Sequence, residues 1–115
     1  MRRAMVALLG FVALSAAAEA AELHVAVDGK DSSAGTAAAP LRTIQRGADL
    51  ARPGDTVIVH QGVYRERIAP PRGGESDAKR IVYRAAPGEK VEIKGSEVVT
   101  GWVKVRGDAW KATLP

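Results

Sequence analysis

The side chains best able to do chemistry are six carboxylates, two histidines and two tryptophans. Glu66, Glu75, Asp77, Glu89, Glu92 and Glu97 could supply an acid and a nucleophile. Two carboxyl groups about 5–5.5 Å apart can share those roles across a glycosidic bond. Five of the six stand in turns or among bases, and Glu92 projects from the polar face of a strand, so each reads as a solvated surface acid. His60 ends a strand, where loop chemistry gathers, but no partner acid is evident beside it, and it reads as a structural histidine. His24 offers less. Trp102 and Trp110 could stack on the apolar face of a sugar, although packing at a sheet edge or on neighbouring chain is the simpler expectation. The polar loop from Arg72 to Lys79 could rim a cleft and reads more simply as a connection. The acids of the Asp28–Pro40 loop do not have the spacing of an EF-hand, so that loop is expected to be a structural turn. No catalytic or metal-ligating constellation is visible, and no cofactor is implied.

The elements that would carry these residues are short and extended. The organising stretch runs from Arg52 to Glu66. Pro53 presets φ at the first corner of a turn and Gly54 tolerates the positive φ of a type II second corner. Thr56-Val57-Ile58-Val59 is a β-branched run suited to a strand. Gln61-Gly62 breaks it, and Val63-Tyr64 begins another. The turn template recurs at Ala86-Pro87-Gly88-Glu89, ahead of Lys90 to Lys94, where Val91 and Ile93 are expected to face inward. A turn-strand unit used twice without a hairpin signal between the copies predicts strands stacked as coils of a solenoid.

Leu23–Val27, Arg67–Ala69 and Arg80–Ala85 read as further extended pieces, as do Glu97–Val99, Trp102–Val105 and Trp110–Leu114 around the Arg106-Gly107-Asp108 turn. Thr43 to Ala51 is the one convincing helix. Thr43 is its N-cap, Ile44, Ala48 and Ala51 form its apolar stripe, and Pro53-Gly54 stops it. Such a helix can cover the open end of a stack of strands. Nothing at Pro115 resembles a second cap, so the chain reads as the first part of a longer protein. The alternative is a complete small β-sandwich with antiparallel pairs.

The chain has 115 residues, 46% of them hydrophobic and 26% charged, with a formal net charge of +4. Arg2-Arg3 precede an apolar run from Ala4 to Ala18, and Ala18-Glu19-Ala20 fits the small-x-small pattern of signal cleavage. Residues 1–20 are therefore expected to be an export signal and 21–115 the mature segment, periplasmic or extracellular. The run is too short for a membrane span of about 20 residues. There is no cysteine, so neither a disulfide nor a lipid-modified cysteine is available. Acids lie beside bases in Arg65-Glu66-Arg67 and Glu89-Lys90, and without a concentrated basic face or stacking aromatics nucleic-acid binding is not expected.

Taken together, several of these pieces carry a resemblance. Gly35-Thr36, Ala39 to Gln45, Arg52 to Val57 and Gly62 to Glu66 resemble the amino-terminal segment of right-handed parallel β-helix proteins of the pectate-lyase-like superfamily. Pro71, Gly74 to Asp77, Arg80 to Tyr83, Ala86 to Val91, Ile93 to Glu97 and Trp102 to Pro115 are similar to the opening of the β-helix β-xylosidases, glycoside hydrolase family 120. The resemblance implies an all-β right-handed parallel β-helix, of which this chain supplies the capping helix and first coils. It implies retaining hydrolysis of xylose-type glycosides, with a carbohydrate as the partner. It also implies that the catalytic carboxylates lie on coils downstream, so no residue here takes a catalytic role and the segment itself is expected to be inactive. A polysaccharide lyase on the same scaffold and a non-catalytic carbohydrate-binding β-helix are the rival expectations.

Overall fold

The computed structural model describes residues 20–114, and the predicted export signal lies outside the described residues except for its last, Ala20. The chain order is β1 (Glu22–Val25), α1 (Ile44–Leu50), β2 (Thr56–Val59), β3 (Gly62–Arg65), a single 3-10 turn (Asp77–Lys79), β4 (Val82–Ala85), β5 (Val91–Lys94), β6 (Val103–Arg106) and β7 (Ala109–Lys111). Among the described residues the regular structure is thus mostly strand, with one α-helix.

Parallel pairing dominates. β1, β2 and β4 form one sheet with β2 in the middle, and β3 pairs with β5 in a second. The chain visits the first sheet, crosses to the second and returns, so each parallel neighbour is separated by a long connection, as parallel pairing requires. The registers stack like on like. Leu23, Val57 and Tyr83 align across the first sheet, as do Val25, Val59 and Ala85. Tyr64 aligns with Ile93 across the second. Of these inward positions Val25, Val57, Val59 and Tyr64 build the core with Leu41, Ile44 and Ala51, while Leu23, Ile68, Ile81 and Val91 pack at its edge and Tyr83, Ala85 and Ile93 remain exposed.

The helix follows its sequence signals closely. The Thr43 hydroxyl accepts from the Arg46 amide as the N-cap. Ile44, Gly47 and Ala48 are buried against β1 and β2, while Leu50 lies at the margin. Gly47 sets the approach distance, because a Cβ there would stand 2.9 Å from Val57 Cγ1 and 3.3 Å from Val25 Cγ2. The Pro53-Gly54 turn ends the segment as a type II turn. Gly54 has φ +94°, and the Asp55 amide donates to the Arg52 carbonyl at 2.9 Å.

Four expectations change. The first strand ends at Val25, and Arg67–Ala69 and Glu97–Val99 are not strands. The two Pro-Gly turns are alike in geometry, since Gly88 has φ +74° and the Glu89 amide donates to the Ala86 carbonyl at 3.1 Å. Yet the strands that follow them do not stack: β2 pairs with β1 and β4, whereas β5 pairs with β3. One turn chemistry serves two different corners. Ile93 is on the inward side as expected but is 55% exposed, because β5 is hydrogen-bonded only to β3 among the described strands.

The fourth change is at β6 and β7, which form an antiparallel hairpin rather than another parallel layer. Gly107, φ +54°, followed by Asp108 makes a two-residue connection with positive φ at its first corner, the hairpin turn that suits the right-handed twist of strands. A small antiparallel β-sandwich is nonetheless overturned for the body of the chain, where both sheets are parallel.

Candidate functional site

The six carboxylates singled out from the sequence are not brought together as a pair. Glu66 follows β3 and reaches the start of α1, where its oxygens accept from the Ile44 amide at 3.1 Å and the Gln45 amide at 2.8 Å. It is a cap supplied from another part of the chain and not a solvated acid. Glu75 meets Lys79 at 3.8 Å and Asp77 meets Arg80 at 2.7 Å, both on exposed local turns. Glu92 stands between Lys90 at 3.0 Å and Lys94 at 3.4 Å, whose hydrogen bonds hold it below the usual glutamate range. Glu97 is exposed.

The segment after β3 straps the helix from end to end. Glu66 holds its N-terminus. The Gln45 side chain donates to the Ala69 carbonyl at 3.1 Å and accepts the Ala69 amide at 2.7 Å, imitating a strand pair. Arg72 then donates to the Asp49 and Ala51 carbonyls, at 2.8 and 2.7 Å, closing the C-terminus. The Arg72–Lys79 loop thus begins with a structural clasp.

In the Asp28–Pro40 loop, Asp31 accepts from the Arg42 and Thr43 amides and the Thr43 hydroxyl, each at 2.9 Å. Burial works against its ionisation, but the Thr43 and Arg42 hydrogen bonds and the Arg46 charge together outweigh that and hold its carboxyl below the ordinary value. The structural-turn expectation for this loop holds. Among the described residues, no group of three or more His, Cys, Asp or Glu side chains is arranged to hold a metal ion.

Asp55 was passed over in the sequence as a turn residue. Only 8% exposed, it accepts the Ala21 amide at 2.9 Å on one oxygen and the Arg52 amide at 2.8 Å on the other. It ties the entry to β1 to the end of the helix segment.

His60 has the partner acid that the sequence did not reveal. Its Nδ1 lies 3.1 Å from Glu89, its Nε2 lies 2.9 Å from His24 Nδ1, and Glu22 stands 3.8 Å from His24 Nε2. Glu89 also accepts the Gln61 amide, and that bond, with the His60 contact, holds it below the usual glutamate range. The Tyr64 hydroxyl donates to the His60 carbonyl at 2.8 Å, and burial pushes its pKa up, so it remains a donor. Only the placement of β1, β2 and β4 in one parallel sheet brings these residues within reach, and no local spacing could have announced it.

Trp102 and Trp110 do not pack as expected. They are 57% and 56% exposed on the hairpin and its approach. The Trp102 indole donates to the Val99 carbonyl at 3.0 Å, and the Lys104 ammonium lies 5.8 Å from the Trp110 ring centre. An open apolar groove lies beside the core, lined by Ile44, Ile68, Pro70, Tyr83, Val91 and Ile93. It presents almost no polar group to a ligand.

A family model described as a protein of unknown function, DUF1565, matches residues 27–70. A solved structure, XylC in complex with xylose, is 52% identical with a TM-score of 0.75, over 77% of this chain and 14% of that one. The resemblance to the β-helix β-xylosidases stands. A second structure, a glycoside hydrolase, is 27% identical with a TM-score of 0.63, covering 84% of this chain and 18% of that chain. The pectate lyase PEL9 of Emericella nidulans is 39% identical over 76% of this chain and 22% of its own length. The uncharacterized protein YwoF of Bacillus subtilis is 34% identical over 66% of this chain and 16% of its own. The chain therefore spans less than a quarter of the length of each of these relatives.

Proposed function

We propose that this chain is the opening, helix-capped portion of an exported right-handed parallel β-helix glycoside hydrolase that cleaves xylose-type glycosides with retention. The observation that carries the reading is the 52% identity to XylC across 77% of the chain. The parallel, like-on-like registers of the β1–β2–β4 and β3–β5 sheets support the β-helix part of the reading. On it, α1 covers the mouth of the spiral, the groove beside Tyr83 and Ile93 faces the next coil, and the acid pair is carried by coils outside this segment. Residues 1–20 act as the signal that sends the protein to the periplasm or medium.

The test is to read the gene past Pro115, express the longest product, and follow its action on an aryl β-xyloside while watching the anomeric configuration of the released sugar. Release of xylose as the β-anomer supports the proposal. An inverted product, or a continuation lacking an acid pair on adjacent coils, overturns the mechanism. The 115-residue chain alone is expected to show no turnover.

The pectate lyase relative favours a second reading, a lyase on the same scaffold. Cleavage of uronate polymers to unsaturated products, lost in chelator, with no action on xylosides would establish it instead.

A further inference from the structure

Three successive strands of one sheet bring a titratable side chain each to a single line. His24 is on β1, His60 follows β2 and Glu89 follows β4. The two ring centres are 5.2 Å apart, the planes are inclined by 16°, and the facing nitrogens are 2.9 Å apart. The centre-to-centre distance is the nitrogen contact lengthened by about a ring radius at either side. The imidazoles therefore meet end to end and do not stack face to face. Such a contact is a hydrogen bond only when one nitrogen carries a proton and the other a lone pair.

Glu89 sets the arrangement. Its carboxylate is fixed by the Gln61 amide and takes the His60 Nδ1 proton, which leaves His60 Nε2 to accept from His24 Nδ1. One added proton is accommodated, because His24 Nε2 can carry it toward Glu22, 3.8 Å away. A second is not, since both facing nitrogens would then bear hydrogens across 2.9 Å. The other charges nearby are Arg84 on β4, 4.0 Å from Glu22, and Asp28, which lines the same recess as His60 and Glu89. The Tyr64 hydroxyl reaches only the His60 and Val25 carbonyls.

We propose that His24 and His60 form a one-proton staple, closed by Glu89, that ties together the three strands of the first sheet and is released when acid protonates both rings. In the unfolded chain the two histidines are independent, and each takes a proton below about pH 6.5. The folded pair takes one. The unfolded state then binds one proton more, so the folding constant falls about tenfold per pH unit as pH drops, until the carboxylates begin to titrate.

The experiment is urea unfolding of the 115-residue chain at pH 6 and pH 5, beside nitrogen-15 NMR of its imidazoles over the same range. The wild type is expected to lose about tenfold in its folding constant over that unit. His24→Gln and His60→Gln each leave one ring with no second imidazole nitrogen facing it to exclude its proton, and are expected to lose that pH dependence. NMR of the folded wild type should show one facing nitrogen protonated and the other bare. Equal pH slopes in wild type and variants overturn the proposal. So does a folded wild type in which both rings are fully protonated at native positions, an outcome that decides the matter even where the variants do not fold.

Discussion

Removing the Glu66 carboxylate should unfasten the helix from the rest of the chain. Glu66→Ala takes away two hydrogen bonds, to the Ile44 and Gln45 amides, from a partly buried site. Bonds to a charged acceptor contribute about 1.5–3 kcal/mol each, and water can replace part of that at a half-open site. The end of the helix adds about 0.5 kcal/mol for a negative charge at its N-terminus. The Thr43 cap remains, because it serves the Arg46 amide and not these two. The net expectation is a loss of about 2–3 kcal/mol for Glu66→Ala. Glu66→Gln, which keeps one acceptor oxygen and loses the charge, should lose about 1 kcal/mol. Urea unfolding at pH 7 measures both. A matching thermal scan should show a fall of roughly 4–8 °C for each kcal/mol lost. Arg72 belongs to the same strap, so a Glu66→Ala, Arg72→Ala double variant should lose less than the sum of the singles. An alanine variant within about 0.5 kcal/mol of wild type, the range of ordinary surface changes, would refute the capping argument.

Three further outcomes follow from other contacts. Asp55→Ala strands the Ala21 and Arg52 amides and should cost about 2 kcal/mol, with faster hydrogen exchange at Ala21 as the local readout. Asp31 is held below its ordinary value, so its contribution is present above the unfolded carboxyl value and is lost as pH falls through the folded one. Asp31→Asn should therefore be less stable than wild type at pH 7, with the difference beginning to shrink only as pH falls below 3.8, as read from unfolding midpoints across that range. Tyr64→Phe keeps the core filled and removes the bond to the His60 carbonyl, an expected loss of about 1 kcal/mol by urea unfolding. Tyr64→Ala also opens a cavity and should lose about 3–5 kcal/mol.

The features legible in the sequence are those whose cause is local. The Thr43 cap, the Ile44–Ala48 stripe and the two Pro-Gly turns need only residues within a few positions of one another, and each stands as expected. The alternation of Val91 and Ile93 likewise named the inward face correctly. It could not say what covers that face, and Ile93 is half open because β5 has a single strand neighbour among the described residues. Pairing was the weakest inference for a related reason. Repetition of a turn motif marks similar corners, whereas stacking depends on how much chain lies between one visit to a sheet and the next. Thr56 and Val82 pair across the same position in the first sheet, yet no Pro-Gly turn precedes Val82 as one precedes Thr56.

The acids show why chemistry is harder to read than architecture in a chain of this kind. Glu66 and Glu89 look like neighbours of bases in sequence, and by charge count alone both read as solvated surface. In the folded chain one caps a helix 21 or 22 residues away, and the other holds a histidine 29 residues away. Parallel pairing creates such meetings as a rule, because it places side chains from separate visits to a sheet side by side along the stack. The same property lets two carboxylates on adjacent coils face one substrate while remaining far apart in sequence. A segment whose described residues form three parallel ladders in two sheets, and whose acids already cap, pair or face solvent, has few left for that task. The acid pair of the proposed hydrolase is therefore to be sought where further coils add new ladders.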